Sequence, residues 1–149
     1  MKRRRIFFVL FALYCALMLW LLFHRPERTS SLPYWQQIQG SLNLVPFRTL
    51  RLFSRLLDDH RPALVQAAII NLVGNIVMFV PLGLLPPLLW INLRKLWRTL
   101  LTAALIITAV EIVQLFTLTG SCDVDDLILN LIGAGLGYGL FTLIRKPDC

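Results

Sequence analysis

The chain alternates long apolar runs with short clusters of charge. The first run, 6–23, follows Lys2-Arg3-Arg4-Arg5, and its length approaches what is needed to cross a hydrocarbon core of roughly 30 Å. Three more runs occupy 63 to about 91, 96–118 and 127–144. Each predicts a transmembrane helix. Pro81, Pro86 and Pro87 are expected to end or kink the second near its far interface, because proline lacks the N–H that continues a helix. No small-x-small cleavage site follows Phe23, so the first run reads as an uncleaved anchor. Cys15 does not read as a lipidation cysteine, since Tyr14 precedes it and the apolar run continues beyond it. The predicted fold class is all-α: a polytopic membrane protein with about four transmembrane helices and an extracytoplasmic interfacial helix.

Composition agrees. In 149 residues, 57% are hydrophobic and 15% charged, with a mean hydropathy of +0.70, which is too apolar for an ordinary soluble domain. The net charge of +7 invites a nucleic-acid reading, but nine of the fifteen cations sit where topology alone calls for them: the N-terminal tail, Arg94-Lys95-Arg98 and Arg145-Lys146. No nucleic-acid partner is expected. The opposing connection, 120–126, carries three aspartates and no cation. By the positive-inside rule both termini are then cytoplasmic. The organisation read from this is a basic tail at 1–5, a first span at 6–23, an extracytoplasmic loop at 24–62, a core of three spans at 63–144, and a second tail at 145–149.

The loop at 24–62 holds six arginines, against the trend of the rule. Part of it patterns as an amphipathic helix, with Leu50, Phe53 and Leu57 on one face and Arg48, Arg51 and Arg55 on the other. That helix could contact lipid phosphates or pack as a solvated face over the bundle.

Polar residues inside the spans carry the candidate chemistry. Glu111 interrupts the third run, and a carboxylate in hydrocarbon costs about 2.5–3.5 kcal/mol even on lenient scales. Asn71 and Asn75 are spaced i, i+4 on the second span, Glu111 and Gln114 i, i+3 on the third, and Asp126 and Asn130 i, i+4 on the fourth, so each pair shares a helix face. At 1.5 Å per residue, Asn130 and Gln114 lie roughly 6–8 Å below the outer surface, Glu111 and Asn71 about 12 Å and Asn75 about 18 Å. Lipid cannot satisfy these groups, so they are expected to face one another around an outward-facing pocket. The competing reading is interhelical hydrogen bonding with no ligand.

Asp123, Asp125 and Asp126 precede the fourth span, where carboxylates cap a helix. They could also bind a cationic group or a bridging metal, or supply acid and base groups. With no histidine nearby, Cys122 beside Asp123 is not expected to ligate a metal, and no metal or organic cofactor is predicted. Cys15, Cys122 and Cys149 fall in a span, outside and inside, so no intramolecular disulfide is expected. Gly133 with Gly137 and Gly135 with Gly139 form two offset small-xxx-small pairs that allow close helix packing, within the chain or, through Gly133 and Gly137, in a homo-oligomer.

Four blocks in order carry a resemblance: Asn43-Leu-Val-Pro46-Phe47; Asn71-Leu-Val-Gly74-Asn75 running on to Phe79-Val-Pro81-Leu-Gly83; Glu111-Ile-Val-Gln114; and Asp123-Val-Asp125-Asp126-Leu-Ile-Leu-Asn130 with Gly133 and Gly137. Over about two thirds of the chain, this resembles the VanZ-like family of small membrane proteins. The resemblance implies an integral membrane protein of the bacterial cell envelope, whose family is named for an accessory gene product of glycopeptide resistance associated with low-level teicoplanin resistance; it supplies no established reaction or ligand. Where many members carry an arginine before the aspartates, this chain reads Leu118-Thr-Gly-Ser-Cys122.

The functional expectation is a non-enzymatic protein binding an envelope lipid or lipid-linked cell-wall component and modulating glycopeptide susceptibility. Asn71, Asn75, Glu111, Gln114 and Asn130 would form the binding wall, with Asp123, Asp125 and Asp126 holding a cation. Two alternatives stand beside it: an enzyme acting on a lipid headgroup with Glu111 and Asp126 as catalytic acid and base, and a small transporter using Glu111 as a proton site.

Overall fold

The computed structural model describes residues 2–24, 31–48, 51, 54–55 and 62–145. Four helices are long and apolar enough to cross a membrane: α1 (Lys2–Phe23), α3 (Pro62–Leu89), α4 (Leu96–Phe116) and α5 (Val124–Ile144). A short helix, α2 (Tyr34–Gly40), lies in the connection after α1. A 3₁₀ turn, Ile91–Leu93, joins α3 to α4. Leucine, isoleucine, valine and phenylalanine remain exposed along all four long helices. Only lipid can cover a belt of that extent, since soluble monomers rarely expose contiguous apolar patches above a few hundred Å². The protein is a multi-pass membrane protein.

The boundaries shift from the expected ones in informative ways. α1 begins at Lys2 and takes the basic residues into the helix. α3 runs through Pro81, Pro86 and Pro87 and stops only at Leu89. Those prolines deprive the carbonyls of Val77, Leu82 and Gly83 of their usual i+4 donors, and packed neighbours make such losses tolerable in spanning helices. The Trp90 N–H still reaches the Pro86 carbonyl at 2.8 Å. α4 ends at Phe116, two residues early, because Leu118 adopts a left-handed backbone (φ 55°). That turn folds the Thr119 and Gly120 N–H groups back onto the Gln114 carbonyl.

The dominant seam joins α3 to α5, which run parallel and touch through backbone. A Cβ on Gly83 would lie 1.8 Å from the Ala134 carbonyl oxygen, one on Gly137 1.9 Å from that of Val80, and one on Gly133 2.1 Å from that of Ile76. Gly133 and Gly137 therefore serve an intramolecular contact, and a second copy could reach them only by displacing α3. Gly135 and Gly139 meet nothing within 4 Å. Phe79, Leu82, Ala103, Ile107 and Ala134 form the core with Met18 of α1. α1 runs antiparallel to α3; its Tyr14 hydroxyl donates to the Met78 carbonyl at 3.0 Å, and Phe11 meets Trp90 edge-on at 5.5 Å.

One element was not expected from an all-α pattern. Leu42–Asn43 (β1) and Cys122–Asp123 (β2) pair as a parallel bridge, Leu42 opposite Cys122 and Asn43 opposite Asp123. The expected amphipathic helix falls largely outside the described residues, since Leu50, Phe53 and Leu57 are not among them. Of its arginines, Arg48 bonds Asn43 Oδ1 at 3.4 Å and Arg51 donates to the carbonyls of Pro46 and Phe47, so both turn back to their own loop.

Candidate functional site

Glu111 and Gln114 sit one turn apart on α4 and are both buried, at 7% and 6% exposure. They face α5, which presents Asn130 (6% exposed) and Asp126, and α3, which presents Asn75. These five polar side chains line one cavity of about 50 Å³, floored by Phe79 and Ile107 and roofed by Gly120, Ser121 and Leu22. The roof is close. A Cβ on Gly120 would stand 3.1 Å from the Gln114 side chain.

Hydrogen-bond accounting shows what the cavity lacks. Asn75 Nδ2 donates to Asp126 Oδ1 at 2.6 Å, and Gln114 Nε2 donates to the Leu22 carbonyl at 2.8 Å. The Cys122 thiol lies 3.9 Å from Glu111 Oε2. Glu111 Oε1 and Asn130 Oδ1 are buried with no hydrogen-bond partner among the described residues. Both are acceptors, and a buried acceptor left unpaired costs about 1–3 kcal/mol. Among the described residues, no lysine or arginine lines the cavity. Two carboxyl groups and a surplus of acceptors suit a hydrogen-bond donor, and the space admits roughly three waters or one ammonium group.

Of the eight expected binding residues, the cavity gathers Asn75, Glu111, Gln114, Asp126 and Asn130. Asn71 is exposed and absent from it. An i, i+4 step turns about 40° past a full revolution and rises about 6 Å, enough to take Asn71 off the side that meets α5. Asp123 and Asp125 hold the roof in place. Asp123 caps α5, its Oδ1 accepting from the Asp125 N–H at 2.9 Å and its Oδ2 from Asn43 Nδ2 at 2.9 Å. Asp125, 4% exposed, accepts from the Phe47 N–H at 2.5 Å. Phe47 adopts a left-handed backbone (φ 62°) there, a costly conformation for an aromatic residue that the Asp125 bond helps to fix. Among the described residues, no three His, Cys, Asp or Glu side chains are grouped to hold a metal ion.

Outside the membrane spans, burial first and the nearby Glu111 carboxylate second push the Cys122 thiol above its ordinary 9.0. A raised thiol is mostly protonated at neutral pH and is a poor nucleophile. Cys15 and Cys122 are both free.

Sequence reasoning missed Asn43 and Phe47 as partners of the aspartates, and missed Cys122 beside Glu111. The Asn43-to-Phe47 block was visible as a motif. Its pairing across 80 residues leaves no periodic signal.

The profile of the VanZ/LLP1 family matches residues 9–145. The chain is 28% identical over 139 residues to Protein VanZ of Enterococcus faecium, an alignment covering 92% of this chain and 74% of that protein. No solved structure matches. The profile takes in α1 from residue 9 onward, the other three spans, the Asn43–Phe47 strap and every residue of the cavity, and the chain belongs to the VanZ/LLP1 family.

Proposed function

We propose that this protein seats a donor-bearing, cationic group of an envelope lipid or lipid-linked cell-wall component in the cavity beneath the 118–123 turn. By doing so it modulates how glycopeptides such as teicoplanin reach their targets. The observation that carries this reading is a pair of buried acceptors, Glu111 Oε1 and Asn130 Oδ1, with no hydrogen-bond partner among the described residues, facing one cavity. An ammonium group supplies up to three donors and a compensating charge. The cavity accepts that group alone, with the rest of the lipid remaining in the bilayer. In this reading the cavity end is extracytoplasmic, as the cation distribution favours.

The test is teicoplanin susceptibility together with membrane lipid profiling in deletion, wild-type, Glu111→Gln and Asp126→Asn strains. The expected result is a susceptibility change on deletion that both substitutions reproduce, with lipid composition unaltered. Unchanged susceptibility on deletion sinks the proposal. The shared cavity of Glu111 and Asp126 favours one second reading, an acid–base pair acting on a lipid headgroup. There, deletion and Glu111→Gln would both accumulate an unmodified lipid.

A further inference from the structure

The opposite end of the bundle is built for a different charge. Between α1, α3 and α4 lies an apolar cavity of about 300 Å³, lined by Phe11, Leu82, Pro86, Trp90, Thr99 and Thr102 among others. The Thr99 hydroxyl is committed to the Leu93 carbonyl at 2.5 Å, so the lining is hydrocarbon apart from Thr102. Trp90 is also part of a second hollow, of about 430 Å³, which is walled by Arg4, Asn92 and Arg94. One tryptophan thus divides an apolar slot from a cationic one.

Arg94 is the second observation. Its backbone is pinned by the Tyr138 hydroxyl, which donates to the Arg94 carbonyl at 2.6 Å, and its Nε is buried without a hydrogen-bond partner among the described residues. A guanidinium N–H in that state lacks an acceptor. The described acidic residues do not supply one. Glu111 lies 17 positions further along the chain, toward the other end of α4, and Asp123, Asp125 and Asp126 lie beyond it.

We propose that Trp90, Arg4 and Arg94 form a binding site for one anionic phospholipid of the adjoining leaflet. Its phosphate meets the Arg94 and Arg4 guanidiniums, and an acyl chain enters the slot behind Trp90. Charge complementarity selects this occupant: a guanidinium pairs bidentately with phosphate, and the neighbouring apolar space matches the attached chain. The site is separate from the carboxyl-lined cavity and does not depend on it.

The full chain, purified in detergent, is exchanged into nanodiscs of dioleoylphosphatidylcholine with or without dioleoylphosphatidylglycerol. Lipid retained after re-extraction is counted by native mass spectrometry. Wild type should retain phosphatidylglycerol over phosphatidylcholine, and Arg94→Gln should lower that preference about five-fold, as expected for one basic contact. Lys95→Gln removes the same charge from an exposed neighbour and should change little. Thr102→Leu should weaken retention of both lipids by filling the slot. Equal losses from the Arg94 and Lys95 variants would overturn the site in favour of general surface charge. Wild-type retention without headgroup preference would overturn it even if the Arg94 variant failed to fold.

Discussion

The α3–α5 seam and the cavity beneath the 118–123 turn occupy neighbouring stretches of the same two helices, but they are held by opposite means. At the seam, three glycines bring backbone within contact of backbone, with no room for a Cβ at any of them. One to two turns away, Asn75 and Asp126 bond each other while Glu111 and Asn130 each keep an acceptor with no partner among the described residues. The seam is a solved packing problem. The cavity keeps buried acceptors that no described residue satisfies, and the proposed function rests on that difference.

The sharpest way to break this comparison is to fill the seam. Gly137→Leu puts carbon where the Val80 carbonyl already stands and should cost about 3 kcal/mol or more, read as a shift in detergent-induced unfolding. A cost below about 1 kcal/mol would mean that the helices separate freely. Asn75→Ala and Asn43→Ala test the polar side, each removing one hydrogen bond to an aspartate for about 1 kcal/mol in the same assay. If either matched the glycine variant, the polar end would be bearing the fold.

Cys122 reports on the cavity's electrostatics through pH. Its raised pKa means that maleimide labelling at pH 8 should be slow and should rise as pH increases. Glu111→Gln removes a negative charge that opposes the thiolate, so the labelling midpoint should move to lower pH in a chain whose other cysteines are serine. An unmoved midpoint would separate Cys122 from Glu111. The smallest effect is expected from Gly135→Ala and Gly139→Ala, which meet open space and should stabilise by at most about 0.5–1 kcal/mol through lost backbone freedom.

How much was legible in sequence follows from these same residues. Hydropathy runs located all four spans, because bilayer thickness sets their length independently of their partners. The convergence of Glu111, Gln114, Asn130 and Asn75 was legible because lipid leaves buried polar groups no alternative. Asn71 was misplaced because a shared face is an arc, and 40° decides which side of a seam a residue takes. The aspartates divided in a way that composition could not show: Asp126 turns inward, while Asp123 and Asp125 serve a loop almost 80 residues upstream. The second glycine pair looked identical to the first in sequence, and only the position of α3 separates them.

The strap that carries Asn43 and Phe47 imposes an order on biogenesis. It emerges from the ribosome well before the aspartates it clasps, and the β1–β2 bridge cannot form until α4 has been inserted and residues 122–123 have reached the strap's side of the membrane. Pairing at such sequence separation is slow relative to local helix formation. Until it closes, Glu111 lies in a bundle whose roof is missing. The chamber is therefore assembled late, and a nascent chain stalled or truncated before residue 122 would lack Asp126 and Asn130 and so the cavity itself.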